Sequence, residues 1–448
     1  MLNRLHKAVA LLAVVMVVWG AVSAFADSFE ETLTKAQNGD AQAQSNLGLM
    51  YYKGTDVKKN YSEAFKWFSK AAEQENAYAL FFLGAMYLSG KGVRKDELES
   101  FKLFRRSADQ GLAEAQCILG ELFRNGVGVR QNNSEAVRWY QKAADQGHAE
   151  AQFKLGMMYL NGDGVRQNDP KAFTLVRQAA EQGHVQAQLN LGTMYNNLMY
   201  DDAEAAKWYR KAAEQGNAIA QDELGYRYFK GNGVQQNIIE AVKWWGKAAE
   251  QGITDAQESL SNVTNSLSEA AERGNAGARE ILRQIAEQGN AEAQHKLGYI
   301  CYFGIGGDQD YAEASQWFSK AAEHGHAKSQ HNLGFMYAMG EGVKQDSSEA
   351  VKWWTKAAEQ GLSEAQYNLS VMYSEGNGVK QDHAEAFKWC RKAAEQGLAT
   401  AQGNLGLMYY EGEGVRQDKS EAVFWWRRAA RNGDNNAQLL LKNIGESW

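Results

Sequence analysis

The chain has 448 residues, a formal net charge of −6 and a single proline, Pro170. Recognition of nucleic acid needs a basic surface, so the mildly acidic composition argues against nucleic acid, and we expect no nucleic acid partner. Because proline interrupts helices, its near absence predicts a chain that is almost entirely helical.

The first segment has the layout of a secretory signal peptide. Arg4 and Lys7 precede an apolar run at 8–18, and small residues precede Asp27. This pattern predicts removal of residues 1–26 and export to the periplasm, the cell surface or the medium. The run is shorter than the ~20 residues that span a bilayer, which disfavours the alternative of a retained membrane anchor. We therefore expect no stable membrane span in the mature chain, whose net charge falls from −6 to −8 because both cations leave with the leader.

From residue 41 onward the sequence repeats itself, and a Leu-Gly pair marks the register. The pair returns at Leu47-Gly48, Leu83-Gly84, Leu119-Gly120, Leu155-Gly156, Leu191-Gly192, Leu224-Gly225, Leu297-Gly298, Leu333-Gly334 and Leu405-Gly406, with Leu260-Ser261 and Leu369-Ser370 in two further units. The first four copies are spaced by 36 residues. A fixed period of this size indicates a solenoid, in which each unit buries its apolar side against its neighbours. We predict about eleven repeats between residues 41 and 434.

Each repeat contains two helices, as the unit at 363–398 shows. Apolar residues at helical spacing end at Gly376, which suits a left-handed helix end and predicts a first helix of about fourteen residues. After a linker, Asp382 and Glu385 have nearly the offset of a capping box at the start of a second helix. Two antiparallel amphipathic helices per repeat make an all-α fold, the α-solenoid. One column of the second helix is interpreted as packing between the two helices; it holds Trp67, Trp139, Trp208, Trp244, Trp317, Trp353, Trp389 and Trp425.

The linkers between the two helices contain glycines, as in Gly162-x-Gly164 and Gly412-x-Gly414, and so resemble phosphate-binding loops. They follow a helix rather than a strand and lack the Lys-Ser/Thr pair that holds a phosphate. We therefore interpret them as structural turns.

Two repeats depart from the pattern. The fifth has lost its glycine linker at 196–201, and the seventh has no tryptophan in its second helix. We interpret the seventh as a degenerate repeat that forms a weak joint. The predicted domain order is a signal peptide at 1–26, a lead-in helix at 27–40, repeats 1 to 6 at 41–253, the joint at 254–290, repeats 8 to 11 at 291–434 and a capping helix at 435–448.

The residue pattern does not point to a catalytic site, a metal or a cofactor. Cys117, Cys301 and Cys390 occupy different columns in repeats that are not adjacent, so no disulfide is expected, and the last two replace buried aromatic residues. No nucleophile and base have catalytic spacing. Four histidines are close in sequence, but no carboxylate or thiolate completes a metal-ligand spacing: His295, His324, His326 and His331.

The repeat consensus A-x-A-Q-x-x-L-G-x-M-Y-x-x-G-x-G-V resembles the Sel1-like repeat, a relative of the tetratricopeptide repeat. Segments such as AEAQFKLGMMYLNGDGV from Ala149 and EAVKWWTKAAEQG from Glu349 carry the resemblance, which covers most of the chain. It implies a right-handed superhelix that serves as a scaffold for protein complexes. Exported bacterial members of the family include factors for host-cell entry and a protein that binds secretory immunoglobulin A.

The fifth, ninth and twelfth residues of each first helix lie on the arc opposite to the buried one, at 100° per residue. In related superhelices this arc lines the concave groove, which implies a binding surface. Here the arc is apolar and aromatic, and either the neighbouring first helix or a segment of a partner would cover it. The candidate partner-binding residues are Phe81, Leu88, Phe153, Met157, Tyr226, Phe229, His295, Tyr299, Tyr302, His331, Phe335, Tyr367 and Tyr410.

These observations predict an exported scaffold, not an enzyme, that binds protein partners through its concave surface. The resemblance implies host proteins such as immunoglobulin among the partners. The alternative is a cell-envelope enzyme or ligand-binding protein that acts on peptidoglycan precursors, as in a cysteine-rich branch of the family with β-lactamase activity. The paired cysteines of that branch are missing from this sequence.

Overall fold

The computed structural model describes residues 28–447, which form α-helices and one short π-helix with no strand among them. The prediction of an all-α solenoid is confirmed, whereas the predicted signal peptide at 1–26 lies outside the described residues. The described chain divides into two compact units, one of 28–220 with 232–234 and one of 221–231 with 235–447. None of the helices between residues 28 and 447 is both long and apolar enough to cross a membrane.

The helix bounds follow the repeats, with two helices in each. In chain order the helices are α1 (Phe29–Gln37), α2 (Ala41–Lys53), α3 (Tyr61–Glu73), α4 (Ala77–Ser89), α5 (Glu97–Asp109), α6 (Ala113–Asn125), α7 (Asn133–Asp145), α8 (Ala149–Asn161), α9 (Asp169–Glu181), α10 (Val185–Met194), the π-helix Tyr195–Met199, α11 (Asp202–Glu214), α12 (Ala218–Lys230), α13 (Ile238–Glu250), α14 (Thr254–Glu272), α15 (Ala276–Glu287), α16 (Ala291–Phe303), α17 (Tyr311–Glu323), α18 (Ala327–Met339), α19 (Ser347–Glu359), α20 (Ser363–Glu375), α21 (His383–Glu395), α22 (Ala399–Glu411), α23 (Lys419–Arg431) and α24 (Asn435–Asn443).

The two helices of a repeat meet where the glycine of the Leu-Gly pair faces a bulky side chain. A Cβ atom added to Gly48 would lie 2.8 Å from the ring of Phe68, and one added to Gly225 would lie 2.7 Å from Trp245. Both rings are buried. Glycine recurs at this position because the ring of the second helix already fills the space of its side chain.

The tryptophan column lies one residue before these rings and connects neighbouring repeats. Trp389 packs against a cluster that includes Ala357 of the preceding repeat and Leu369 of its own first helix. The tryptophan column therefore packs between neighbouring repeats as well as between the two helices of one repeat, and only the second contact is predicted from the sequence. Lys392 adds a cation–π contact, with its Nζ 3.9 Å from the Trp389 ring centroid.

The helix ends follow the sequence signals with one difference. Gly376 ends α20 after thirteen residues in the left-handed conformation, as predicted, with φ +71°. Asp382 accepts a hydrogen bond from the N–H of Glu385 at 3.0 Å. The N–H of Asp382 itself donates to the carbonyl of Tyr373 at 2.9 Å, and Glu385 pairs with a lysine instead. The capping box is thus half formed, and its other half is a backbone bond to the first helix.

The glycine linkers are structural turns, as predicted. Gly92 has a φ of +71°, and a Cβ atom there would lie 2.5 Å from the carbonyl oxygen of Tyr61. The linker therefore packs against the start of the second helix of the preceding repeat. In the fifth repeat, which lacks this linker, the π-helix Tyr195–Met199 takes its place and ends at Tyr200.

The three cysteines are buried and free. Burial raises the pKa of the Cys301 thiol to about 11 and that of Cys390 to about 12. A protonated thiol is a weak nucleophile, so these cysteines act as small core residues.

Candidate functional site

Three of the predicted binding residues lie in the core rather than on an open face. Phe81, Leu88 and His295 are exposed by 0%, 5% and 9%, so their assignment to an open surface is corrected. Phe81 is covered because its ring contacts Phe104 of the second helix, with centroids 5.4 Å apart. His295 is covered by His326, whose ring centroid is 4.6 Å away.

His295 and His326 belong to a hydrogen-bonded group that caps a helix, in which His295 and Ser329 are buried and His326 is half-buried. His326 precedes α18, and its Nδ1 accepts a hydrogen bond from the N–H of Ser329 at 3.2 Å. Its Nε2 is 3.1 Å from a carboxylate oxygen of Glu292, and the Oγ of Ser329 is 3.0 Å from Nδ1 of His295. Because Ser329 is fully buried, this arrangement has no accessible nucleophile. Within residues 28–447, no group of three or more His, Cys, Asp or Glu side chains is placed to hold a metal ion.

The remaining candidates are half-buried or exposed: Phe153, Met157, Tyr226, Phe229, Tyr299, Tyr302, His331, Phe335, Tyr367 and Tyr410. Four of them, Tyr299, Tyr302, His331 and Phe335, come together around one cavity. These four belong to the first helices of two consecutive repeats, α16 and α18.

This cavity, which we call the repeat 8–9 pocket, has a volume of about 290 Å³. Its lining consists of Tyr299, Tyr302, Phe303, Phe318, His331, Asn332 and Phe335. Five of the seven are aromatic residues of the Phe or Tyr type, and such a lining is typical of a pocket that binds an apolar group.

Two aromatic side chains that line the pocket, and Met339 at the end of α18, are exposed. Tyr299 is exposed by 40%, Phe303 by 54% and Met339 by 56%. Phe303 and Met339 are the thirteenth residues of their repeats, where the next two repeats have Glu375 and Glu411. Neither residue is among those predicted from the sequence, and the signal that identifies them is an apolar residue in this otherwise polar column.

The aromatic side of the pocket is held by contacts among its own rings. The ring of Phe303 is 4.6 Å from that of Tyr299 and 4.9 Å from that of Tyr302, measured between centroids. The Oη of Tyr302 donates a hydrogen bond of 2.6 Å to Glu341. Burial and this carboxylate raise the pKa of Tyr302 above its usual value, so the hydroxyl stays protonated.

The polar side of the pocket is formed by His331 and Asn332. The Nδ2 of Asn368 is 3.1 Å from Nε2 of His331, and Oδ1 of Asn332 is 3.3 Å from Nδ1. Since an amide nitrogen can only donate, these contacts assign the neutral ring with its proton on Nδ1. Burial lowers the pKa of His331, which favours this neutral form.

Comparison with known proteins places the repeats in a family. The Sel1 repeat model matches ten segments and leaves 254–290 unmatched. The matched segments are 41–76, 77–112, 113–148, 149–184, 185–217, 218–253, 291–326, 327–362, 363–398 and 399–434.

Two solved structures and one curated protein are similar to this chain. A protective antigen present in uropathogenic Escherichia coli strains, which displays an SLR fold, is 36% identical over 93% of this chain and 90% of that one, with a TM-score of 0.52. A Sel1 repeat protein from Oxalobacter formigenes is 32% identical over 77% of this chain and 90% of that one, with a TM-score of 0.39. A Sel1-like repeat-containing protein of Acanthamoeba polyphaga mimivirus is 49% identical over 45 residues, which are 10% of this chain and 8% of that protein. With repeats that match over most of its length, this chain belongs to the Sel1 repeat family.

Proposed function

We propose that this protein is an exported scaffold that binds a partner protein through the repeat 8–9 pocket. Proteins built from Sel1 repeats generally act as scaffolds for protein–protein interaction. The observation that carries the proposal for this chain is the exposure of Tyr299 and Phe303 in the lining of an aromatic cavity. Exposed apolar residues grouped around a cavity are typical of binding anchors, because a partner gains free energy by covering them.

The proposal of export rests on the first 26 residues, which have the order of charged, apolar and small residues of a signal peptide. The similar Escherichia coli protein is described as a protective antigen, and a role at the cell surface or in the medium fits that description. Host proteins are therefore among the partners we propose. N-terminal sequencing of the exported protein tests this part, because the mature chain should begin at Asp27.

The binding surface is tested by capture of partners with two matched variants. Phe303→Asp places a carboxylate in the pocket at a side chain that is 54% exposed, so the core is left intact. Phe424→Asp makes the same change at a phenylalanine that is 49% exposed in repeat 11, away from the pocket lining. Host secretions and envelope extracts are passed over each immobilised protein, and the bound proteins are quantified by mass spectrometry.

Proteins that bind through the pocket are depleted at least tenfold by Phe303→Asp and retained by Phe424→Asp. A set of captured proteins that is the same for the wild type and Phe303→Asp would refute the proposed surface. Circular dichroism of both variants confirms that the comparison is made between folded proteins.

A further inference from the structure

The chain contains two tyrosine pairs at equivalent positions of the repeat. Tyr52 and Tyr61 are the twelfth and twenty-first residues of repeat 1, and Tyr302 and Tyr311 are the same residues of repeat 8. The ring centroids are 5.2 Å apart in the first pair and 5.1 Å apart in the second, and both pairs have an interplanar angle of 64°. Because the two pairs have the same geometry, the group that covers the first pair indicates which kind of group the second pair can bind.

A cation of the chain itself covers the pair in repeat 1. The Nζ of Lys91 lies 5.6 Å from the ring centroids of both Tyr52 and Tyr61, within the range of a cation–π interaction. Lys91 is the fifteenth residue of repeat 2, and the fifteenth residue of repeat 9 is Glu341. At the second pair the cation is therefore replaced by a carboxylate, which accepts the hydrogen bond of Tyr302.

Other aromatic residues in the twelfth column are also covered by lysines. The Nζ of Lys230 lies 5.1 Å from the Phe229 ring centroid, and that of Lys419 lies 5.7 Å from the Tyr410 ring centroid. In the part of the chain that the structure describes, no lysine or arginine lies over a ring of the repeat 8–9 pocket. The pocket thus offers aromatic faces and a carboxylate to a cation of another molecule.

We propose that the repeat 8–9 pocket takes a lysine or arginine side chain of the partner protein. This inference rests on the proposed function, since it names the group of the partner that enters the pocket. The charged end lies over Tyr302 and Tyr311 and pairs with Glu341. The aliphatic stem packs against Phe303 and Phe335, as the stems of long basic side chains do on apolar surfaces.

The charges around the pocket favour a basic group over an acidic one. The chain has a net charge of −6, and the charged residue that bonds to the pocket is Glu341. His331 adds no positive charge because burial lowers its pKa and its ring is neutral at pH 7. A neutral apolar side chain would fit the cavity but would not pair with the carboxylate.

The test compares two small probes on the full-length mature protein by ligand-observed NMR titration. One probe is Nα-acetyl-lysine methylamide, and the other is its isostere in which a methyl group replaces the ammonium. Since the two differ only in charge, their affinity ratio measures the preference for a cation. We expect the lysine probe to bind about two- to thirty-fold more tightly, which is the range of cation–π interactions from exposed to desolvated sites.

Three variants test whether the preference for a cation comes from the repeat 8–9 pocket. Tyr302→Leu keeps an apolar wall but removes one of the two aromatic faces over which the charged end lies, so it should weaken the lysine probe more than the isostere. Glu341→Lys places a lysine where repeat 2 has Lys91, and should block the lysine probe by occupying the site. Tyr410→Leu makes the same change as Tyr302→Leu at the twelfth residue of repeat 11, outside the pocket lining, and should leave both affinities unchanged.

The outcomes separate this inference from the proposed function. If the isostere binds as tightly as the lysine probe and Tyr302→Leu weakens both equally, the pocket binds side chains but the preference for a cation is refuted. If neither probe binds the folded wild type, the inference is also refuted, and the capture experiment with Phe303→Asp then decides separately whether the surface binds proteins.

Discussion

The backbone of Gly120 lies against the face of Tyr140, so closely that a Cβ atom on the glycine would be 2.8 Å from the ring. Tyr140 is fully buried and donates its hydroxyl hydrogen bond to Glu121. This contact joins the two helices of repeat 3, and its equivalents recur along the chain. The Leu-Gly signature is therefore a packing requirement rather than a point of flexibility.

This contact predicts that Gly120→Ala destabilises the protein. Alanine improves helix propensity by about 1 kcal/mol, but overpacking against a buried ring costs about 1–3 kcal/mol, so the net change is a loss of stability. Gly246→Ala is the matched control, because Gly246 is also helical and its Cβ would meet nothing within 4 Å. That variant should gain about 0.5–1 kcal/mol. Urea unfolding of both variants measures the difference, and equal effects would refute the packing argument.

The linker that replaces the glycine turn in repeat 5 is strained. Tyr200 has a φ of +55° and is 86% exposed, so it adopts a left-handed conformation without gaining buried contacts. Left-handed backbone costs a residue with a Cβ about 1–2 kcal/mol. We therefore expect Tyr200→Gly to raise the free energy of unfolding by about 1 kcal/mol. Tyr200→Ala, which keeps the Cβ, should not, and a gain of the same size in both variants would contradict this explanation.

The buried histidine of repeat 8 predicts a loss of stability in acid. Burial and the neighbouring His326 lower the pKa of His295 to about 3, whereas an unfolded histidine titrates near ~6.5. The unfolded chain therefore binds a proton that the folded chain does not, and stability falls as the pH drops from ~6.5 towards 3. At pH 4.5 this amounts to about 2–3 kcal/mol.

His295→Phe should remove that part of the pH dependence, because phenylalanine does not titrate. Phenylalanine also fits this position, since repeats 2 and 4 have Phe81 and Phe153 there.

The carboxylate of Glu292 adds a second, lower pH range in which stability changes. The hydrogen bond from His326 lowers the pKa of Glu292 to about 2, so its contribution is present above ~4.5 and is lost as the pH falls below that value. Glu292→Gln should therefore reduce the change of stability with pH only in this lower range. Thermal unfolding between pH 3 and 8 measures both slopes, and an unchanged slope for His295→Phe would be evidence against this assignment.

The sequence predicts the helices closely because their end signals recur in most repeats. Gly376 and Asp382 are where the pattern places them, since a left-handed glycine and an N-terminal aspartate are local requirements of the backbone. The burial of the fifth residue of each first helix is harder to predict, because the sequence of one helix does not show which neighbouring side chain covers that residue. Phe153 faces His184 at 5.0 Å between ring centroids, and His184 is the last residue of the same repeat. Contacts of this kind depend on how consecutive helices pack, which a helical wheel does not contain.

The seventh repeat carries the remaining prediction, which concerns a weak joint. It comprises α14 and α15, lacks the tryptophan that eight of the other ten repeats have, and is the repeat that the family model leaves unmatched. Residues 272–277, which comprise the end of α14, the turn and the start of α15, are exposed, although Arg283 in α15 makes a 2.8 Å ion pair with Glu313 of the next repeat. In a linear array each unit is stabilised by its neighbours, so the unit with fewer packing contacts opens first.

We therefore expect limited proteolysis to cut first between Asn262 and Arg279, and trypsin to do so at Arg273, leaving two folded fragments. Ile281→Trp adds a large side chain at a half-buried position of α15 and should slow this cut and merge any separate unfolding transitions. The same substitution at Ile219, which is 54% exposed in α12, is the matched control and should not protect the site. A first cut elsewhere, or hydrogen exchange that is as slow in α14 and α15 as in the other repeats, would show that the seventh repeat is as stable as its neighbours.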